Sequence, residues 1–395
     1  MKRRKGDKMK NSFEIMKERN QKKVLEMIYK KGPISRVDIS DKTGLAAATI
    51  TNIVKKLLEL GLVKEAERAP SSGGRKPVLM EINKTGGYFI GIEWGINKVS
   101  GVLLNLKSEI VAEKHIQNSD FNFSNFIDLT SHLIEKMENK AGSSDKIIGL
   151  GLGIHGPVNP RKGLSLYAPH FNWKNKNIKK EMVKLVDYPV FIDNDVRMMA
   201  LGEKWGGIGK NYDNFIFVNL GYGIGSGIII NGELYYGNDW TAGEFGHMTI
   251  LEEGPICSCG NQGCLEAVIS IDHLVKKYFN ESEKSNLYLE TKQQWTMLNQ
   301  EAQTEKNAAR NIILEAANYL GTGLANLVNL FNPRAIILGG DMMTAEDYIL
   351  PIVREKVNSK SLQITADGME IHSSSYRELA GARGAATAVL EDIFK

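Results

Sequence analysis

Apolar residues near the start of the chain recur at helical spacing. Val24, Leu25 and Ile28 share one face of a helix running from Lys17 to Lys31, and Gly32-Pro33 then stops it. Ser35, with Asp38 three residues on, predicts the N-cap of a short helix over Arg36–Thr43 that ends at Gly44. From about Ala46 to Leu60, the positions Ile50, Ile53, Val54, Leu57 and Leu58 follow the i, i+3, i+4, i+7, i+8 pattern. That third helix leaves Thr49, Thr51, Asn52, Lys55 and Lys56 on its open faces, and Gly61 closes it. Strands near 62–66 and 77–82 complete a winged helix-turn-helix, with Arg68 to Pro77 as the wing tip.

Past Lys84 the period shortens to that of strands, and two similar units follow one another. The first has strands near 88–93, 99–105 and 110–115, an amphipathic helix near 123–140 and the apolar strand Ile147 to Ile154. The second has strands near 215–220, 225–230 and 233–235, with Asn231-Gly232 as a hairpin turn, then a long helix near 307–330 and a strand from Ala335 to Leu338. The expected class is α/β, a winged helix followed by a duplicated βββαβ body enclosing a cleft. The expected domains are 1–84 and 85–395, the body having a smaller lobe of about 85–195 plus the C-terminal helix and a larger lobe of about 196–375. Residues 272–310 read as helices added to the larger lobe.

Charge separates the same two parts. Residues 1–80 carry 20 Lys+Arg against 9 Asp+Glu, a net +11, whereas the remainder carries 30 against 37, a net −7. A basic module on an acidic body points to nucleic acid for the first and a separate small-molecule or assembly role for the second. On the third helix, Thr49, Thr51 and Asn52 are short enough to reach base edges, while Lys55 and Lys56 suit phosphates. Arg75 and Lys76 at the wing tip suit phosphates or a narrow minor groove. At 395 residues and 42% hydrophobic, without an apolar run of membrane-spanning length, the chain is expected to fold as a cytoplasmic protein with no membrane partner.

The chemistry gathers between Gly243 and Glu266. His247, Cys257, Cys259 and Cys264 bring one imidazole and all three cysteines of the chain together, a closed soft donor set suited to a structural Zn2+. Glu244 and Glu266 flank the ligands, and carboxylates beside an imidazole suit a polyol. Between the repeats, Phe191 to Asp195 ends a strand and opens a helix, placing the carboxamide of Asn194 and the carboxylate of Asp195 where they can bind paired hydroxyls.

These stretches, GEFGH, CSCGNQGC and Leu265-Glu266, resemble the signature of the ROK family of bacterial sugar kinases and sugar-responsive repressors. The resemblance implies an actin-like ATPase (sugar-kinase) fold and one structural Zn2+ on His247, Cys257, Cys259 and Cys264. It also implies a sugar met by Glu244, His247 and Glu266 and by the Asn194-Asp195 pair, Asp195 standing where kinases keep their base. Gly156-Pro157 matches the family's Gly-Pro turn at the cleft, and His155 beside it is a lesser candidate. Where the kinases carry Asp-x-Gly-Gly-Thr, this chain has Glu93-Trp94-Gly95-Ile96-Asn97, and the second turn, Gly221 to Gly225, has Tyr222 in place of the usual threonine. Tyr222 is expected to crowd a nucleotide.

Expected from this is a DNA-binding repressor that is not an enzyme, released from its operator by free sugar. VKKLLELGLVKE, SSGGRKP and VNLGYGIGSGIIINGELY resemble the xylose repressors of low-GC Gram-positive bacteria, so xylose is the expected inducer, with glucose next. A homodimer on a pseudo-palindromic operator is the expected assembly. An active sugar kinase and a zinc-stabilised scaffold with no small ligand are the rival readings.

Overall fold

The computed structural model describes residues 19–66, 77–96, 98–118, 120–168, 171–281, 290–304 and 307–394. The chain begins with α1 (Arg19–Lys31), β1 (Ile34–Ser35), α2 (Arg36–Thr43), α3 (Ala47–Glu59), β2 (Val63–Glu65) and β3 (Leu79–Ile82). Ser35 caps α2 by accepting the Asp38 N–H at 3.1 Å, and Gly44 ends it with φ 69°. Val24, Leu25, Ile28, Ile39, Ile50, Ile53, Val54 and Leu57 are buried where the three helices pack together. Each such side chain contributes roughly 1.5–3 kcal/mol by leaving water. Strand β1 adds to the expected wing: Ile34 and Ser35 pair with Met80 and Leu79, giving the order β1-β3-β2. The wing tip lies outside the described residues.

Next come β4 (Tyr88–Trp94), β5 (Lys98–Asn105), β6 (Ile110–Gln117), α4 (Phe123–Ala141), β7 (Ile147–Ile154), β8 (Val158–Asn159), β9 (Leu164–Ala168), β10 (Trp173–Asn177), α5 (Ile178–Leu185), β11 (Val190–Asn194) and α6 (Asp195–Gly206). The later elements are β12 (Phe215–Leu220), β13 (Ile224–Ile230), β14 (Glu233–Leu234), α7 (Leu265–Ile269), α8 (Ile271–Glu281), α9 (Thr291–Ala302), α10 (Ala308–Phe331), β15 (Ala335–Gly339), α11 (Glu346–Lys360), α12 (Gln363–Ala366), β16 (Glu370–Ser373) and α13 (Ala380–Phe394).

Two five-stranded sheets carry the duplication. Their orders, β11-β7-β4-β5-β6 and β14-β13-β12-β15-β16, read in opposite directions, are one plan: three antiparallel strands continued by two parallel ones. Asn231 and Gly232, at φ 52° and 76°, make the tight hairpin of the second. A second three-stranded sheet, β10-β9-β8, follows the Gly156-Pro157 turn.

Contacts divide the chain into two compact units, residues 1–201 with 381–395, and residues 202–380. In the first, Trp94 is fully buried, with ring centroids 4.7 Å from Phe126 and 6.3 Å from Trp173, and its indole N–H reaches Thr130 Oγ1 at 3.0 Å. Helix α13 lies so close on this sheet that a Cβ on Gly151 would stand 1.7 Å from the Ala385 carbonyl. The second unit has its own core, in which β12, β13, α7, α8, α10 and α11 share a buried apolar cluster. Among the described residues, no helix is long and apolar enough to cross a membrane.

Candidate functional site

Three groups of predicted residues have definite surroundings. On α3, Thr51, Asn52, Lys55 and Lys56 are exposed, while Thr49 is half-buried rather than open. The Thr51 hydroxyl donates to its own helix at Ala47 O (2.9 Å), so only its methyl and a lone pair face outward. Lys55 lies 4.0 Å from Glu59, an exposed pair too well screened to hold the ammonium. Arg75 and Lys76 lie outside the described residues.

At the end of β11 a closed polar network surrounds Asn194 and Asp195. Asn194 Oδ1 accepts the Arg197 N–H at 3.0 Å, and its Nδ2 donates to Gly156 O (3.1 Å) and Asp195 Oδ1 (2.9 Å). Gly156 has φ 86°, and a Cβ there would meet Tyr167 O at 2.3 Å, so the turn that presents this carbonyl admits only glycine. His155 Nδ1 is 3.6 Å from Asp195 Oδ2. Behind the pair lies an ion pair that sequence reasoning missed. Arg197 and Asp193 have side chains only 4% and 5% exposed; the guanidinium bonds Asp193 Oδ1 through Nε (2.7 Å) and Nη2 (2.5 Å) and reaches Val158 O at 2.8 Å. Asp193 Oδ1 also accepts the Asn194 N–H at 2.7 Å. One buried fork thus joins the strand carrying Asn194 to the segment following Gly156-Pro157.

In the other unit, the irregular loop after β14 brings His247, Cys257, Cys259 and Cys264 together, their ligand atoms all within 4.8 Å of one another. A tetrahedral zinc with bonds of about 2.3 Å to sulfur and about 2.05 Å to nitrogen would separate its ligand atoms by about 3.6–3.8 Å. Cys257 Sγ to His247 Nδ1 is 3.6 Å and Cys259 Sγ to Cys264 Sγ is 3.7 Å, so two of the ligand pairs are already at coordination spacing. Burial, then the neighbouring sulfurs, push the Cys264 thiol up to about 12. His247 turns its Nδ1 to the thiols, while its Nε2 lies 3.9 Å from Glu244 Oε2. Glu266 accepts the Ile224 N–H at 2.9 Å and the Ser258 hydroxyl at 3.3 Å.

Ile224 belongs to the second glycine-rich turn, so a carboxylate holds one of the backbone donors that such a turn offers to phosphate. Tyr222 is half-buried and packs against the hydrophobic core of its unit, because an aromatic ring gains more there than in water. In the first turn, the Gly95 N–H bonds Lys98 O at 3.0 Å, and Trp94 points into the core; Asn97 lies outside the described residues.

The ROK family profile matches residues 89–392, and a winged helix-turn-helix DNA-binding profile matches residues 17–64. The chain belongs to the ROK family. It is 34% identical to the xylose repressor of Bacillus spizizenii over 381 residues, which cover 95% of this chain and 96% of that one. Among solved structures, a ROK family transcriptional regulator, a homologue of the Escherichia coli MLC protein, is similar at a TM-score of 0.83 and 27% identity over 97% of both chains. A ROK family glucokinase from Streptomyces griseus, in complex with glucose and AMPPNP, is similar at a TM-score of 0.67 and 25% identity, covering 77% of this chain and all of the kinase. The ROK fold here thus has both repressor and kinase relatives.

The Asp193–Arg197 pair is open to a direct test. Arg197→Met leaves a buried carboxylate without its partner and is expected to lower the unfolding free energy in urea by about 3–5 kcal/mol. Adding Asp193→Asn should recover much of that loss; an Arg197→Met protein as stable as the parent would mean that the pair contributes nothing net.

Proposed function

We propose that this chain is a sugar-responsive DNA-binding repressor, with residues 1–84 as the operator-binding module and 85–395 as the sugar-binding body. The observation that carries this reading is the winged helix itself, with Asn52, Lys55 and Lys56 exposed on α3, joined in one chain to a ROK body. Asn52 and the Thr49 and Thr51 side chains are the proposed base readers, and Lys55, Lys56, Arg75 and Lys76 the phosphate contacts. A homodimer on a pseudo-palindromic operator supplies the footprint that one module lacks.

The proposed sugar ligands are Asn194, Asp195, Gly156, Glu244, His247 and Glu266. Asp195 accepts from sugar hydroxyls, with Asn194 and His155 holding its carboxylate in place. Asn194 itself offers its remaining lone pair. His247, Cys257, Cys259 and Cys264 would hold a structural Zn2+, which when bound neutralises the thiolates and fixes the loop. His247 would then bind metal through Nδ1 and present Nε2 beside Glu244 toward a hydroxyl. Similarity to a xylose repressor over nearly the whole length supports xylose as inducer, with glucose next. Ile96, Asn97 and Tyr222, at phosphate turns where the kinases carry glycine and threonine, support a binder rather than a kinase.

Elemental analysis of protein purified under reducing conditions should find one Zn2+ per chain. Cys257→Ser and Cys259→Ser should lose metal and sugar response together; full sugar affinity in metal-free protein would refute the link between loop and ligand. In gel-shift titrations, Asp195→Ala and Glu266→Ala should keep operator affinity yet resist xylose. Lys55→Ala and Arg75→Ala should lose operator affinity and keep sugar binding, each lowering the salt slope by about 0.9. Operator binding unchanged by both xylose and glucose in the parent protein would dismiss these inducers. A coupled assay with ATP and either sugar should show no phosphorylation; turnover at roughly 1–1,000 per second would return the chain to the kinases.

A further inference from the structure

Ser108, at the tight turn between β5 and β6, is bonded on two sides. Its Oγ lies 3.0 Å from the Tyr29 hydroxyl on α1 of the winged helix, and its carbonyl accepts from Arg383 Nη2 on α13 at 3.3 Å. The residue is 6% exposed with φ 59°, a conformation that a non-glycine residue holds only where its surroundings impose it. The turn is stiff. Asn105 Oδ1 accepts the N–H groups of Lys107 (2.9 Å) and Glu109 (3.1 Å), and the Ser108 N–H returns to Asn105 O at 2.9 Å. Burial raises the Tyr29 phenol above its usual range, so its hydroxyl stays protonated.

Arg383 is placed where movement of the body would enter. The chain passes between the two compact units after Leu201, within α6, and after Ala380, at the start of α13. These helices meet just inside the first unit: a Cβ on Gly384 would lie 1.8 Å from Met198 O, so their backbones are in contact. Met198 follows Asp195 by one helical turn, and Arg383 precedes Gly384.

We infer that Arg383, Ser108 and Tyr29 are positioning residues forming a strut, through which the C-terminal helix sets the orientation of the winged helix and so transmits the sugar-bound state to the operator-binding face. A shift of α6 and α13 on sugar binding reaches Ser108 through the Arg383 guanidinium, and the stiff turn passes it to Tyr29 instead of absorbing it. The strut rests on the sugar-responsive reading above. Coupling of this kind commonly changes affinity by about 5–150-fold, and by linkage the factor is the same whichever ligand is varied.

The test measures four affinities on full-length protein: for a DNA duplex recovered by selection from random sequence, with and without saturating xylose or glucose, and for the sugar, with and without that duplex. Tyr29→Phe removes only the hydroxyl, and Arg383→Met only the guanidinium. Each is expected to keep its affinity for DNA alone and for sugar alone within about threefold of the parent, while the coupling factor falls to within about twofold of unity. The retained affinities certify folding. Lys84→Met, which breaks the exposed 2.7 Å pair to Glu109 at the same turn, should leave coupling unchanged. Parental coupling in both Tyr29→Phe and Arg383→Met overturns the strut, as does an equal loss in Lys84→Met. If the parent itself shows no coupling to either sugar, the sugar-responsive reading fails first and the strut falls with it.

Discussion

Four soft donors meet in the stretch between Gly243 and Glu266, and the polar groups of the second unit are arranged around them. That stretch contains one short 3-10 turn and isolated bridges, Thr249 with Cys264 and Ile256 with Gln262, and Ile256 is 70% exposed. Backbone bonds such as Ile250 N–H to Gly263 O (2.8 Å) and Cys257 N–H to Asn261 O (2.8 Å), with Phe245, Met248, Ile250 and Leu251 packed on the core of the unit, offset part of the entropy of ordering the loop, about 1–2 kcal/mol per residue for the backbone alone. Sulfur and imidazole at coordination spacing supply another source of order. Glu244 lies beside the ligand residue His247, and Glu266, in the first turn of α7, bonds Ser258 between two of the ligand cysteines.

The other half of the polar machinery is fixed by the opposite means, a regular scaffold. Asn194 ends a strand paired in register with β7, and Asp195 opens a helix, so both sit on stiff elements. The buried Arg197 fork then joins that strand end to the segment beyond the Gly156-Pro157 turn. A buried ion pair of this kind brings little net stability over a well-packed apolar pair. Its geometric effect is larger, since three donors converge on Asp193 Oδ1 and leave the neighbouring Asn194 one arrangement.

Much of this was legible in the sequence, for identifiable reasons. Helix α3 shows itself because Ile50, Ile53, Val54 and Leu57 all face one core, and the hairpin at Asn231-Gly232 because its turn needs positive φ twice. Strand β1 was not legible: two residues after Gly32-Pro33 carry no period, and only their pairing with β3 makes them a strand. The β10 segment, Trp173-Lys-Asn-Lys-Asn177, has the composition of a loop and depends on its partner β9. Arg197 was missed since a charged residue in the first turns of a helix reads as solvent-facing, and nothing local reveals that Asp193 and Val158 O enclose it. The core contact of Tyr222 is hidden for the same reason, since the residues that form it are distant in sequence.

The kinase relatives and the proposed sensor put the same binding groups to different ends. A kinase gains rate only from interactions stronger in the transition state than in the ground state, which is why its phosphate turns matter. A sensor gains nothing from the transition state. What it needs is a ligand that binds one of two arrangements better than the other, and a hundredfold preference, about 2.7 kcal/mol, already transforms operator occupancy. A few charge-assisted hydrogen bonds to sugar hydroxyls, at about 1.5–3 kcal/mol each, lie in that range if only one arrangement lets them form together. Selection on such a protein would therefore preserve the polar groups around Asp195 and Glu266 and relax the phosphate turns. Ile96 and Asn97 in the first turn and Tyr222 in the second, where the kinases carry glycine and threonine, have the form that relaxation would leave.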